Sequence, residues 1–186
     1  MRGPTPSRVR RASPFAVGVV AAILLGGCAT TDGPATTFPP VPAGPDLTVS
    51  PTVALTRADL VRVLGARSLI LTDAQVPFRP AEAERLADAA RAVYQVQLPE
   101  DPGGGYVVVY ELSDAGEAAA AAREQAGYLA SGPGRVQAPL GTVHVIRIVG
   151  STVVLYSWLP GEARDPAAPD IQSALENLGI GVDIPS

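Results

Sequence analysis

From about Thr52 onward the apolar residues alternate between helix-like and strand-like periods, and near the start of the chain they form one unbroken block. Thr56 reads as a helix cap with Asp59 at the third helical position. Leu60, Val61 and Leu64 fall on one side of that helix, and Gly65 reads as its stop. Ser68 to Thr72 is a short apolar run of strand character. Pro80 suits the first turn of a second helix, whose apolar stripe is Leu86, Ala90 and Val93, with a strand following from Val93 to Leu98. Tyr106 to Leu112 (YVVVYEL) is the clearest strand, apolar on both faces except at Glu111, and so a central one. Asp114-Ala115-Gly116-Glu117 resembles a capping box, and the helix it opens runs to about Ala130. Thr142 to Val149 and Thr152 to Leu159 are β-branched runs around Gly150-Ser151, a two-residue hairpin turn. Ile171, Ala174, Leu175 and Leu178 recur at helical spacing between Pro169 and Gly179. Hairpins mixed with helices predict an α+β fold: an antiparallel sheet of about four to five strands with helices packed on one face.

The hairpin fixes a register in which Val149 opposes Thr152 and His144 opposes Ser157. One face then carries Ile146, Ile148, Val153, Leu155 and Leu159, and should receive the helices. The other carries Val143, Val145, Arg147, Val154, Tyr156 and Trp158. Tyr, Trp and Arg are enriched at binding hot spots, so Arg147, Tyr156 and Trp158 are a candidate interaction face for a protein partner or a second copy of the chain. The competing reading is a half-exposed sheet face with the rings lying flat for stability.

The unbroken block has a different meaning. Arg2, Arg8, Arg10 and Arg11 form a positive segment, followed by the 11 apolar residues from Phe15 to Leu25. A bilayer span needs about 20 apolar residues, so this run fits a secretory leader. Leu25-Gly26-Gly27-Cys28 resembles a bacterial lipobox, and Cys28 is the only cysteine of the chain. The resemblance implies cleavage after Gly27, a diacylglyceryl thioether on Cys28, and further acylation of the new amino terminus. Two or more acyl chains anchor a protein stably where one does not. Residues 29–51 then hold six prolines, from Pro34 to Pro51, and read as an extended spacer. The organisation is thus a signal peptide over 1–27, a lipidated Cys and Pro-rich tether over 28–51, and an α+β domain over 52–186.

Charge narrows the partners. All 14 basic residues are Arg, the acids number 18, and the net charge is −4. Because four of the Arg sit in the leader, the body is more acidic still. That argues against nucleic acid, which needs clustered positive charge. One Cys and one His leave no metal site of the Cys/His type and no implied cofactor. His144 is the only general base of the usual kind, with Ser151 and Ser157 nearest in sequence, but no GxSxG elbow accompanies them. Asp101-Pro102-Gly103-Gly104-Gly105 lacks the Lys-Ser/Thr of a phosphate loop and enters a strand, so it reads as a connection between strands. Glu82, Glu84 and Asp88 with Arg85 and Arg91 read as a solvated helix face.

Two stretches are similar to an uncharacterised family of small lipoproteins from high-GC bacteria. The first is Val107-Val108-Val109-Tyr110-Glu111-Leu112-Ser113-Asp114, running into an Ala-rich helix. The second is His144-Val145-Ile146-Arg147, then Gly150 and Val153-Val154-Leu155-Tyr156. The resemblance implies a sheet-and-helix domain behind a lipid anchor and carries no activity. The expected function is a non-catalytic binding or interaction module, exported and held on the cell-envelope membrane through Cys28. The alternatives are a structural envelope component and an envelope enzyme using His144.

Overall fold

Ser50 caps the first helix, α1 (Pro51–Gly65): its hydroxyl oxygen accepts the Val53 N–H at 3.2 Å, and Pro51 takes the first-turn position where a missing N–H costs nothing. The structure, a computed structural model, describes residues 49–185; the segment read as a leader, Cys28 and the Pro-rich segment to residue 48 lie outside them. The helix therefore starts more than a turn before Thr56. That residue lies mid-helix, buried, with its hydroxyl 2.8 Å from the Thr152 hydroxyl. Leu60 and Leu64 are buried as expected, whereas Val61 is exposed.

After α1 come β1 (Leu71–Asp73), α2 (Glu84–Asp88), β2 (Ala90–Val96) and β3 (Tyr106–Glu111). Then follow α3 (Ala115–Ala130), α4 (Gly132–Arg135), β4 (Val143–Val149), β5 (Thr152–Trp158), α5 (Ala168–Leu175) and β6 (Ile180–Val182). The second helix is shorter than its stripe suggested. Ala89 turns the chain extended at φ −74°, ψ 149°, and Ala90 and Val93 belong to β2. The Asp114 cap of α3 forms as read, its carboxylate accepting the Glu117 N–H at 2.9 Å.

The sheet is antiparallel throughout, with six strands in the order β1-β2-β3-β5-β4-β6. That is one strand beyond the expected range; the extra one, β6, is a three-residue edge strand. The β4–β5 register is the one the two-residue turn dictates, with Val149 opposite Thr152, Arg147 opposite Val154 and His144 opposite Ser157.

Helices cover both faces, not one. On the first face α1 and α5 pack over Tyr94, Val107, Val109, Val154 and Tyr156. On the second, α2 and the Ala-rich side of α3 pack over Val108, Tyr110, Ile146, Val153 and Leu155. The reason lies in β3, where Val107 to Tyr110 are all essentially inaccessible. A strand with no polar face cannot leave one side wet, and only a second helical layer removes that surface from water.

Candidate cleft and the groups around it

The loop between β2 and β3 is built by its glycines. Gly105 has φ +76°, and a side chain there would put Cβ 2.5 Å from the Val96 carbonyl oxygen, so the chain turns into β3 only with glycine. Gln95 Nε2 donates to the Pro102 and Gly104 carbonyls, both at 2.9 Å, and fastens the loop to its own hairpin. Asp165, 5% exposed, accepts the Glu100 N–H at 3.0 Å and the Ala167 N–H at 2.9 Å. It ties this loop to the segment leading into α5.

Those two segments wall an open cleft of about 660 Å³ at one end of the sheet. Tyr156 of β5 lies at its base, 1% exposed, and its hydroxyl has no hydrogen-bond partner among the described residues. Burial foremost, and then the nearby Asp101 carboxylate, raise its pKa well above the ordinary phenol value, so it stays a neutral O–H. Phe78 stacks on Tyr106 with ring centroids 4.4 Å apart and planes 5° from parallel, and the pair forms one wall. Trp158 is half-buried on another side, its indole N–H donating to Gln172 Oε1 at 3.2 Å. Asp101, Glu162 and Arg164 complete the rim, and none forms an ion pair among the described residues.

The expected interaction face does not exist as an exposed surface. Tyr156 is buried and Trp158 packs against the cluster under α1 and α5. Arg147 is turned onto the end of α5: its Nε donates to the Leu178 carbonyl at 2.5 Å, and its Nη2 to those of Glu176 at 2.8 Å and Gly179 at 3.1 Å. The chain's own last helix occupies the face proposed for a partner. The structure brings Tyr156 and Trp158 together in the cleft, while Arg147 is no part of its lining.

His144 meets Ser157 across the hairpin, Nδ1 to Oγ 2.7 Å. Burial lowers the imidazole pKa below its ordinary 6.5. No carboxylate bonds to either residue among the described residues, so the pair lacks the third group that orients a catalytic imidazole. A folded-state value below the unfolded one means that the unfolded chain takes up the proton first as pH falls. Stability is then full above the unfolded value, falls as pH drops through it, and levels off below the folded value. His144→Gln should remove this contribution. The urea-midpoint difference between wild type and variant at about pH 7 and about pH 5 measures it; equal differences at both would mean that the imidazole titrates normally.

Glu82 was read as part of a solvated helix face, but it precedes α2 and its side chain is only 2% exposed. It accepts the Tyr110 hydroxyl at 2.7 Å, Arg79 Nε at 2.7 Å and Arg91 Nη1 at 3.3 Å. Burial first, and then the Glu82 hydrogen bond and charge, raise the Tyr110 pKa. Arg85, by contrast, bridges Glu117 and Glu124 on the surface of α3.

No family model, curated protein or solved structure matches the chain.

Proposed function

We propose that this chain is a lipid-anchored binding module of a bacterial cell envelope, tethered through Cys28 and recognising its ligand in the cleft over Tyr156. The observation that carries the binding part is that hydroxyl: Tyr156 lines the cleft, and its oxygen, accessible there, makes no hydrogen bond among the described residues. A donor that opens into a cleft without a protein partner, beside aromatic walls and charged rim groups, is the kind of convergent polar group that ligand sites use. The anchoring part is supported by the charged leader, its apolar run and Leu25-Gly26-Gly27-Cys28.

Mass spectrometry of the mature protein from bacterial membranes tests the anchor. Cys28 should be the first residue and carry a diacylglyceryl group, and Cys28→Ser should abolish maturation at Gly27. An unmodified Cys28 behind an intact leader refutes it.

A second reading, an enzyme using His144, is favoured only by the 2.7 Å contact with Ser157. The test is labelling by a fluorophosphonate, which reacts with activated serine hydroxyls; covalent adduct on Ser157 would install this reading in place of the first.

A further inference from the structure

The polar groups of the cleft share one chemical demand. The Tyr156 hydroxyl and the Asp101 carboxylate line the same cleft; neither is hydrogen-bonded among the described residues, and the first can donate while the second only accepts. A single alcohol oxygen can accept from the first while donating to the second. A carbonyl satisfies only the tyrosine, and an ammonium only the aspartate. Glu162 on the rim offers further acceptors and Arg164 further donors, with neither neutralised by a partner among the described residues. The rim therefore suits a ligand presenting several donors and acceptors together. Between these groups stand the Phe78–Tyr106 stack and the half-buried Trp158, flat apolar surfaces beside hydrogen-bonding ones. Sugar rings combine these properties, having hydroxyls around the edge and patches of C–H on their faces.

The geometry points to a saccharide as the ligand of this cleft, bound with its C–H faces on the aromatic side chains and a hydroxyl bridging Tyr156 and Asp101. The cleft is open, and so accommodates a stretch of a longer glycan as well as a free oligosaccharide. This assignment rests on the reading of the cleft as the module's ligand site.

Trp158 is the only tryptophan in the chain, so its emission reports on the cleft without labelling. The full mature chain, held in a polyoxyethylene detergent that carries no sugar headgroup, is titrated with cellotetraose and with N-acetylated chitotetraose. A parallel series uses tetra-alanine and penta-lysine. At least one sugar is expected to shift the emission saturably below about 1 mM, the weak range of an open site. Asp101→Asn should weaken that binding by about tenfold, equivalent to about 1.4 kcal/mol. Glu162→Gln, on an exposed side chain, is the second variant and should weaken it less. Saturation by a peptide and by neither sugar overturns the saccharide and leaves the ligand site standing. Silence from both series up to about 10 mM overturns the saccharide and the ligand-site reading together. Sugar binding unchanged in both variants overturns the placement in this cleft. If a tetrasaccharide binds, competition by purified envelope polysaccharide separates a polymer ligand from a free one.

Discussion

Glu82→Ala is expected to destabilise the domain by about 3 kcal/mol, lowering the urea midpoint by about 1–2 M. The carboxylate is 2% exposed and takes the Tyr110 hydroxyl and two guanidinium groups. Its removal leaves a cavity and orphans a phenol whose residue is fully buried in the cluster under α3. Arg79, 57% exposed, rehydrates at little cost, and so contributes the smaller part. Tyr110→Phe should cost only about 1 kcal/mol, because it deletes one donor and leaves the carboxylate its arginines. The double variant should fall short of the sum, since the phenol's partner is already gone. A loss below about 0.5 kcal/mol for Glu82→Ala would restore the reading of a solvated surface charge.

The second large effect is expected at Arg147. Its guanidinium gathers the carbonyl of Glu176, the C-cap of α5, and those of Leu178 and Gly179 in the segment that follows it. Immediately after them β6 pairs with β4 through Ile146–Val182 and Ile148–Ile180. Arg147→Met keeps much of the stem and deletes the fork, and should cost about 2 kcal/mol. Amide exchange at Ile180 and Val182 should accelerate more than exchange in β3, because an edge strand can detach while the centre stays closed. Lysine at 147 should restore less than half of the loss, since one ammonium cannot reproduce bonds made from both Nε and Nη2. Equal recovery by lysine would show that charge alone matters.

Local chemistry made several elements legible. Gly150-Ser151 determined the register of β4 and β5, and Asp114 with Glu117 determined the start of α3. Where two periods fit the same residues, reading failed. Leu86, Ala90 and Val93 match a helical stripe, yet tertiary pairing with Val108 and Glu111 draws the last two into β2. Ser50-Pro51 looked like the end of a proline-rich spacer because the residues before it are of that kind; locally it is a cap followed by a first-turn proline. Two faces of burial were already implied by YVVVYEL, and a single helical layer was inconsistent with it. The cleft was hidden for another reason. Phe78, Asp101, Tyr156 and Arg164 are far apart in sequence, on loops and a strand end that only the fold brings together. Tyr156 and Trp158 were singled out as a surface pair, but their alternation along β5 could not show that α5 covers that side.

The strand order also decides when the fold can close. Four of the five pairings lie within one half of the chain, β1 with β2 and β2 with β3, or β4 with β5 and β4 with β6. Only Val107–Tyr156 through Glu111–Thr152 join the halves, across the whole of α3. As the chain is synthesised from its amino terminus, β3 waits for its second neighbour until Tyr156 has been made. Until then the Ala-rich helix has no Ile146, Val153 or Leu155 to cover, and α1 has no α5 beside it. The completed core is a late event, and the nascent polypeptide stays threadable for most of its synthesis. For the export proposed above, which takes a chain through a pore unfolded, such a delay, set by the seam between the third and fifth strands, would be an advantage.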